Sequence, residues 1–199
     1  MKAKEYLGDL NGGSLLLADA KIVANLLLQS PSSEQWKLEI VENNILQRNS
    51  IHSALRVANT LKLRLTSLGP CFWQDLVSSD GQEYSQLLML SLMIQSPVVT
   101  DFLQQVLAEY SRQYKPNLEP NSWDLFIDAQ CRRIPELAEY SEGTLDKMRK
   151  NLFRALAESG YINNVRAKKL QPVFVLPKTN FQIERLGRLE LMPIMECTI

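Results

Sequence analysis

The chain is poor in the residues on which most active sites depend. Among 199 residues it has one histidine, His52, and three cysteines, Cys71, Cys131 and Cys197. A lone imidazole with no partner close in sequence argues against an acid–base triad. The cysteines lie far apart, with no Cys-x-x-Cys pair, whereas a structural zinc site takes about four ligands at short paired intervals. An odd count at wide spacing fits reduced thiols in a cytosolic protein. Gly12-Gly13-Ser14 lacks the lysine and the spacing of a phosphate loop, and no Gly-x-Ser-x-Gly elbow or His-Glu-x-x-His pair occurs. Glu39 and Glu42 could share a helix face, but acidic pairs at that spacing usually face solvent. The expectation is a protein that is not an enzyme and needs no metal or cofactor.

Long apolar runs are also missing. The greasiest stretch, residues 87–94, is broken by Ser91, and a membrane span needs roughly 20 residues. It reads as a core helix. Residues 1–17 carry no signal-peptide cleavage pattern. A cytoplasmic protein that does not contact membranes is expected. There is no internal repeat and no low-complexity tract.

Charge of one sign is absent overall, 22 basic residues standing against 22 acidic with a pI near 6.6. A protein that coats nucleic acid along its whole surface is normally basic, so the placement of charge has to carry any such reading. Residues 144–172 hold seven cations (Lys147, Arg149, Lys150, Arg154, Arg166, Lys168 and Lys169) against Asp146 and Glu158, a balance of +5. Residues 61–143 carry −5. Such asymmetry is what a local anion-binding surface produces.

Apolar residues make up 45% of the chain, and their spacing is mostly helical. Helices are expected over residues 19–29, 33–46 (opened by Ser32-Ser33-Glu34-Gln35 as a capping box), 50–68, a short one near Trp73, 82–95, 97–115, 122–133 and 144–159. Gly160 fits a C-terminal cap. Residues 170–176 and 189–195 look strand-like, though Pro172 and Pro193 restrict them to edge strands. The fold class expected is all-α, with a possible small β ribbon near the C-terminus. A helical body over residues 1–134 would precede a small basic unit over 135–199, with the boundary at the break near Pro135.

The helix at 50–68 has two unlike faces. Ile51, Ala54, Ala58, Leu61, Leu65 and Leu68 fall within an arc of roughly 100°, a stripe that must meet a core. His52, Ser53, Arg56, Asn59, Thr60 and Arg64 lie opposite, with Leu63 as the apolar intruder. No carboxylate occurs from Gln47 to Gln74, although an ordinary solvated face would be rich in glutamate. Ser50, His52 and Ser53 occupy the first turn, where free N–H groups and the helix dipole favour phosphate. Arg56 and Asn59 follow at spacings a major groove accepts. The helix at 33–46 joins this one through Gln47-Arg48-Asn49, which makes residues 33–68 a helix-turn-helix candidate. The bland alternative is an amphipathic helix with a basic polar face.

In the helix at 144–159, Lys147, Lys150 and Arg154 gather on one side, opposite Leu145, Met148, Leu152 and Leu156. Arg166, Lys168 and Lys169 then precede the strand-like 170–176. A helix, a turn and a basic ribbon form the layout of a winged helix, whose wing touches phosphate. The alternative is a solvated face beside a basic loop. Phe153 and Tyr161 read as core residues, which makes duplex a better target than single strands.

Order and spacing along most of the chain resemble the BrxA family of bacteriophage-exclusion (BREX) defence systems. The resemblance rests on Gly13-Ser14-Leu15, Lys21-Ile22, Leu26-Leu27-Leu28, Trp36, Asn44 with Leu46-Gln47, and Ser50–Arg56–Ala58 leading to Arg64-Leu65. It continues through Gly69-Pro70 with Trp73, Asp101-Phe102, Trp123, residues 156–162 and Leu170-Gln171-Pro172. It implies a small helical protein with helix-turn-helix elements and affinity for double-stranded DNA, working beside other BREX proteins in blocking phage. The family pattern also implies a cation directly before Arg56, where this chain has Leu55. On residues and resemblance together, the DNA-binding set is Arg48, Ser50, His52, Ser53, Arg56, Asn59, Arg64, Lys147, Lys150, Arg154, Arg166, Lys168 and Lys169. An adaptor docking other defence proteins through Leu63 or the acidic middle, and an RNA-binding module like the antitermination factor NusB, are the alternatives.

Overall fold

Serine side chains start several of the main helices by accepting from the free amides of the first turn. In the computed structural model, which describes residues 1–196, Ser32 Oγ accepts from Gln35 N while Gln35 Oε1 accepts from Ser32 N, closing the expected capping box. Ser50 does the same for Ser53 N at 3.2 Å, and Ser141 for Thr144 N at 3.3 Å. The helices are α1 (Ala3–Leu7), α2 (Leu17–Leu28), α3 (Ser33–Lys37), α4 (Ile51–Thr66), α5 (Gly69–Ser78) and α6 (Gly81–Gln95). They continue as α7 (Pro97–Phe102), α8 (Ala108–Arg112), α9 (Ser122–Cys131), α10 (Glu142–Glu158), α11 (Pro177–Arg185) and α12 (Met192–Met195). A wider π turn, Leu38–Glu42, extends α3, and another, Leu103–Leu107, joins α7 to α8. The all-α expectation holds.

α2 lies against α4 and α5, and α6 runs through the centre with Leu87 to Met93 buried. Phe102, Trp123, Phe126 and Phe153 tie α7, α9 and α10 together, with ring centroids 5.3 to 6.1 Å apart. Such edge and tilted contacts add to the area these rings bury. Apolar residues from α1 to α12 form one continuous cluster. Among the described residues no single helix is long and apolar enough to cross a membrane.

Three expectations need correction. The helix placed at 33–46 ends at Glu42, because Asn44 (φ 44°) and Gln47 (φ 50°) take left-handed backbone. Asn44 then brackets Arg48, its amide donating to Arg48 O and accepting from Arg48 N, both at 3.0 Å. The connector to α4 is therefore residues 43–50, longer than Gln47-Arg48-Asn49.

The expected ribbon at 170–176 does not form, and with it goes the wing of a winged helix. Asn117 pairs with Lys169 and Ile162 with Leu170 as isolated bridges, and Val173 is a further single bridge position, with no continuous strand among the described residues. Pro172 lacks a donor, and the buried Gln86 of α6 takes over the role of a neighbouring strand. Its Nε2 donates to Phe174 O at 2.8 Å and its Oε1 accepts from Leu176 N at 3.0 Å.

Residues 189–195 are helical, not extended. Pro193 sits in the first turn of α12, where its missing N–H costs nothing, and Leu191 and Met195 bury one turn apart. α11 was not expected from sequence. Pro177 at its first position and Gly187 (φ 64°) after its end were the available signals. Cys71 and Cys131 are half-buried free thiols, and Cys197 lies outside the described residues.

Candidate anion-binding cleft

Arg64 does not belong to a solvent face. Its side chain is 0% exposed and reaches back to the N-terminal loop. Nε donates to Asp9 Oδ2 at 3.1 Å and Nη1 to Ser14 O at 2.8 Å. Nη2 lies 3.0 Å from the same carboxylate oxygen but out of hydrogen-bonding line. Asp9 is itself 7% exposed and shares a hydrogen bond with Ser96 Oγ at 3.2 Å. The arginine expected on the DNA-facing side is thus an internal tie, and it leaves the candidate set.

Further contacts clamp the same loop between α4 and α10. Arg56 Nη1 donates to Gly12 O at 2.6 Å, and Asn151 Nδ2 to Leu10 O at 2.8 Å. Leu15 N donates to Glu158 Oε2 at 3.1 Å. Gly12 has to be glycine, because a Cβ there would meet Thr60 Oγ1 of α4 at 2.7 Å. Through this loop, two helices roughly a hundred residues apart in sequence hold a fixed position relative to each other.

The result is a cleft of about 510 Å³ whose cations are Arg48, Arg56, Lys147 and Arg154. The two basic regions therefore meet in one place. Gly12, Gly13 and Ser14 also line it, as do Asp19 and Glu158. Both carboxylates are already engaged: Asp19 with Arg48, and Glu158 with Arg154 Nε at 2.8 Å. Among the described residues, Arg56 and Lys147 have no carboxylate partner. They are the free charge of the cleft.

The other candidates do not line it. Ser50, His52 and Asn59 are exposed on α4 and Ser53 is half-buried. On α10, Lys150 is exposed and bonded to Asp146 at 2.6 Å, with Arg149 on the same carboxylate. These two donors hold the Asp146 carboxyl below the usual range. Arg166 and Lys169 project from a loop stiffened by side-chain turns. Asn164 Oδ1 accepts from Arg166 N and Ala167 N, and Asn163 Oδ1 accepts from Lys169 N. Lys168, with left-handed backbone (φ 50°), rests its Nζ 5.2 Å from the centre of the Phe153 ring. Asn151 and the Gly12-Gly13 loop were not anticipated as part of the site. A polar side chain on an otherwise cationic helix face and a paired glycine were the only hints.

Fold and site together define an all-helical protein whose distinguishing surface is a cationic cleft between α4 and α10, floored by a pinned glycine loop. The BrxA family model matches residues 4–187. The chain is 42% identical over 193 residues to the BREX protein BrxA of Escherichia coli O9:H4 (strain HS), covering 97% of this chain and 91% of that one. Against the BREX protein BrxA of Paramagnetospirillum magneticum (strain ATCC 700264 / AMB-1) identity is 32%, covering 87% of each. A crystal structure of an uncharacterized protein from Magnetospirillum magneticum superposes with a TM-score of 0.88 at 26% identity, covering 98% of this chain and all of that one. The chain belongs to the BrxA family.

Proposed function

We propose that this protein is a non-enzymatic component of a BREX-type bacteriophage defence system that binds double-stranded DNA through the cleft between α4 and α10. The relatives' shared description as BREX proteins supports the setting. The observation that carries DNA binding is the convergence of Arg48, Arg56, Lys147 and Arg154 on one cleft in a chain of zero net charge. Mobile counterions neutralise scattered surface charge; cations focused in a concave site attract a polyanion.

Arg56 and Lys147 engage phosphate first, since neither must leave a carboxylate. Ser50, His52 and Ser53 at the start of α4 extend the contact, and Arg166, Lys168 and Lys169 extend it past α10. Of the two residues expected to reach base edges, Arg56 is tied to Gly12 O and turned to phosphate, which leaves Asn59 on the exposed side of α4. Binding is therefore tolerant of sequence, because phosphate contacts fix position and base contacts specify.

A gel-shift series with blunt duplex DNA, single-stranded DNA and duplex RNA tests this reading. The duplex DNA is expected to shift at the lowest protein concentration and to be released as salt rises. Preferential binding of RNA, or no binding of any of the three, would overturn it.

A further inference from the structure

A second hollow borders the cleft across Arg154, and its chemistry differs. It encloses about 500 Å³ and is lined by Arg149, Lys150, Phe153, Arg154, Val165 and Lys168. Phosphate contacts on a duplex have no use for an apolar floor, yet Phe153 and Val165 supply one here. Val165 leaves 48% of its surface exposed within a ring of four cations. Small-molecule sites combine apolar surface with charged groups that fix orientation; here the apolar stems and charged heads of four cations adjoin Val165. Asp146 and Glu158 offset two of the four positive charges; the excess suits an anion, and the floor suits a flat apolar body. A nucleotide has both.

We infer that this hollow binds a single unpaired nucleotide of DNA held in the neighbouring cleft, with the base against the exposed Val165 and the phosphate on the rim cations. This rests on the DNA-binding reading above. Arg154 belongs to both spaces, so a strand leaving the cleft reaches the hollow across one side chain. Guanidinium planes, which Arg149 and Arg154 provide, stack on bases as well as pairing with phosphate. Lys168 is kept at the rim by its contact with the Phe153 ring. The protein accordingly favours duplex ends or junctions that carry an unpaired base over continuous duplex.

Fluorescence anisotropy on a blunt duplex and on the same duplex with a short single-stranded overhang, with calorimetric titration of dAMP alone, tests the inference. The overhang is expected to tighten binding roughly tenfold or more, the usual scale for stacking one base. Val165→Ser removes the apolar contact without altering charge. It is expected to abolish that gain, leave blunt-duplex affinity unchanged and remove any heat from dAMP. Equal affinity for both duplexes in the parent protein, or a gain that survives Val165→Ser, overturns the inference. A dAMP signal without an overhang gain would assign the hollow to free nucleotides and overturn the DNA-end form. Failure of the blunt duplex to bind strikes the cleft instead, because the dAMP arm reads the hollow without it.

Discussion

Replacing Arg64 with methionine removes the charge and all three polar contacts while keeping most of the stem's bulk. The Asp9 carboxylate, 7% exposed, then stays behind without its cation, and Ser14 O loses its donor. Breaking a buried ion pair from one side costs about 3–5 kcal/mol. With a urea slope of about 2 kcal/mol/M, the midpoint should fall by about 1.5–2.5 M. The thermal midpoint should drop by about 6–20 °C, at about 2–4 °C per kcal/mol for a chain of this size. Adding Asp9→Asn relieves the orphaned charge, so the double variant should recover more than half of the loss. Because Arg64 secures the loop that floors the cleft, duplex affinity should fall as well, although Arg64 touches no solvent. Urea unfolding of both variants, followed by circular dichroism, is the assay. A midpoint shift under about 0.5 M for Arg64→Met would refute the reasoning, since an exposed arginine would behave that way.

Three further outcomes follow from the same contacts. Gln86→Leu should cost about 2–3 kcal/mol, because Phe174 O and Leu176 N lose partners in a partly buried setting; hydrogen exchange at Leu176 should speed up before that of α6. Burial pushes the Tyr84 hydroxyl up to about 12 from an ordinary 10, so its contribution is present below about pH 10 and is lost as pH rises through about 12. Tyr84→Phe should flatten that alkaline loss while lowering neutral-pH stability by about 1 kcal/mol, as the bond to Leu17 O disappears. Arg154→Ala leaves Glu158, whose side chain is 15% exposed, without its cation but still accepting from Leu15 N, so the melting temperature should fall by about 2–4 °C, the scale of about 1 kcal/mol, while duplex binding weakens.

Amphipathic spacing and serine caps made most of the helices legible in sequence, because helices of that kind are fixed by local chemistry. What was hidden depended on partners distant in the chain. Residues 170–176 have strand composition, but Leu170 and Gln171 bond to Pro116 and Tyr161 while the amide of Gln86, some ninety positions away, holds Phe174 and Leu176, so no sheet is built. Residues 189–195 read as a strand on apolar content, yet Pro193 near a helix start outweighed it. At the site, the basic clusters were visible as counts, but nothing in the spacing revealed that Gly12–Ser14 would bring Arg56 and Lys147 together. Arg64 shows the opposite failure. Helical periodicity set it among polar neighbours, and the buried Asp9 drew it inward.

The proposed complex is one duplex held by both basic regions in one cleft. Its most direct test is the slope of log Kobs against log salt for a blunt duplex, measured on the parent, Arg56→Ala, Lys147→Ala and the double variant. Each phosphate contact contributes about 0.9 to that slope. Each single variant should lower its magnitude by about 0.9 and the double variant by about 1.8, with the fold intact. A slope unchanged by either substitution, or changed by only one of them, would contradict the shared cleft.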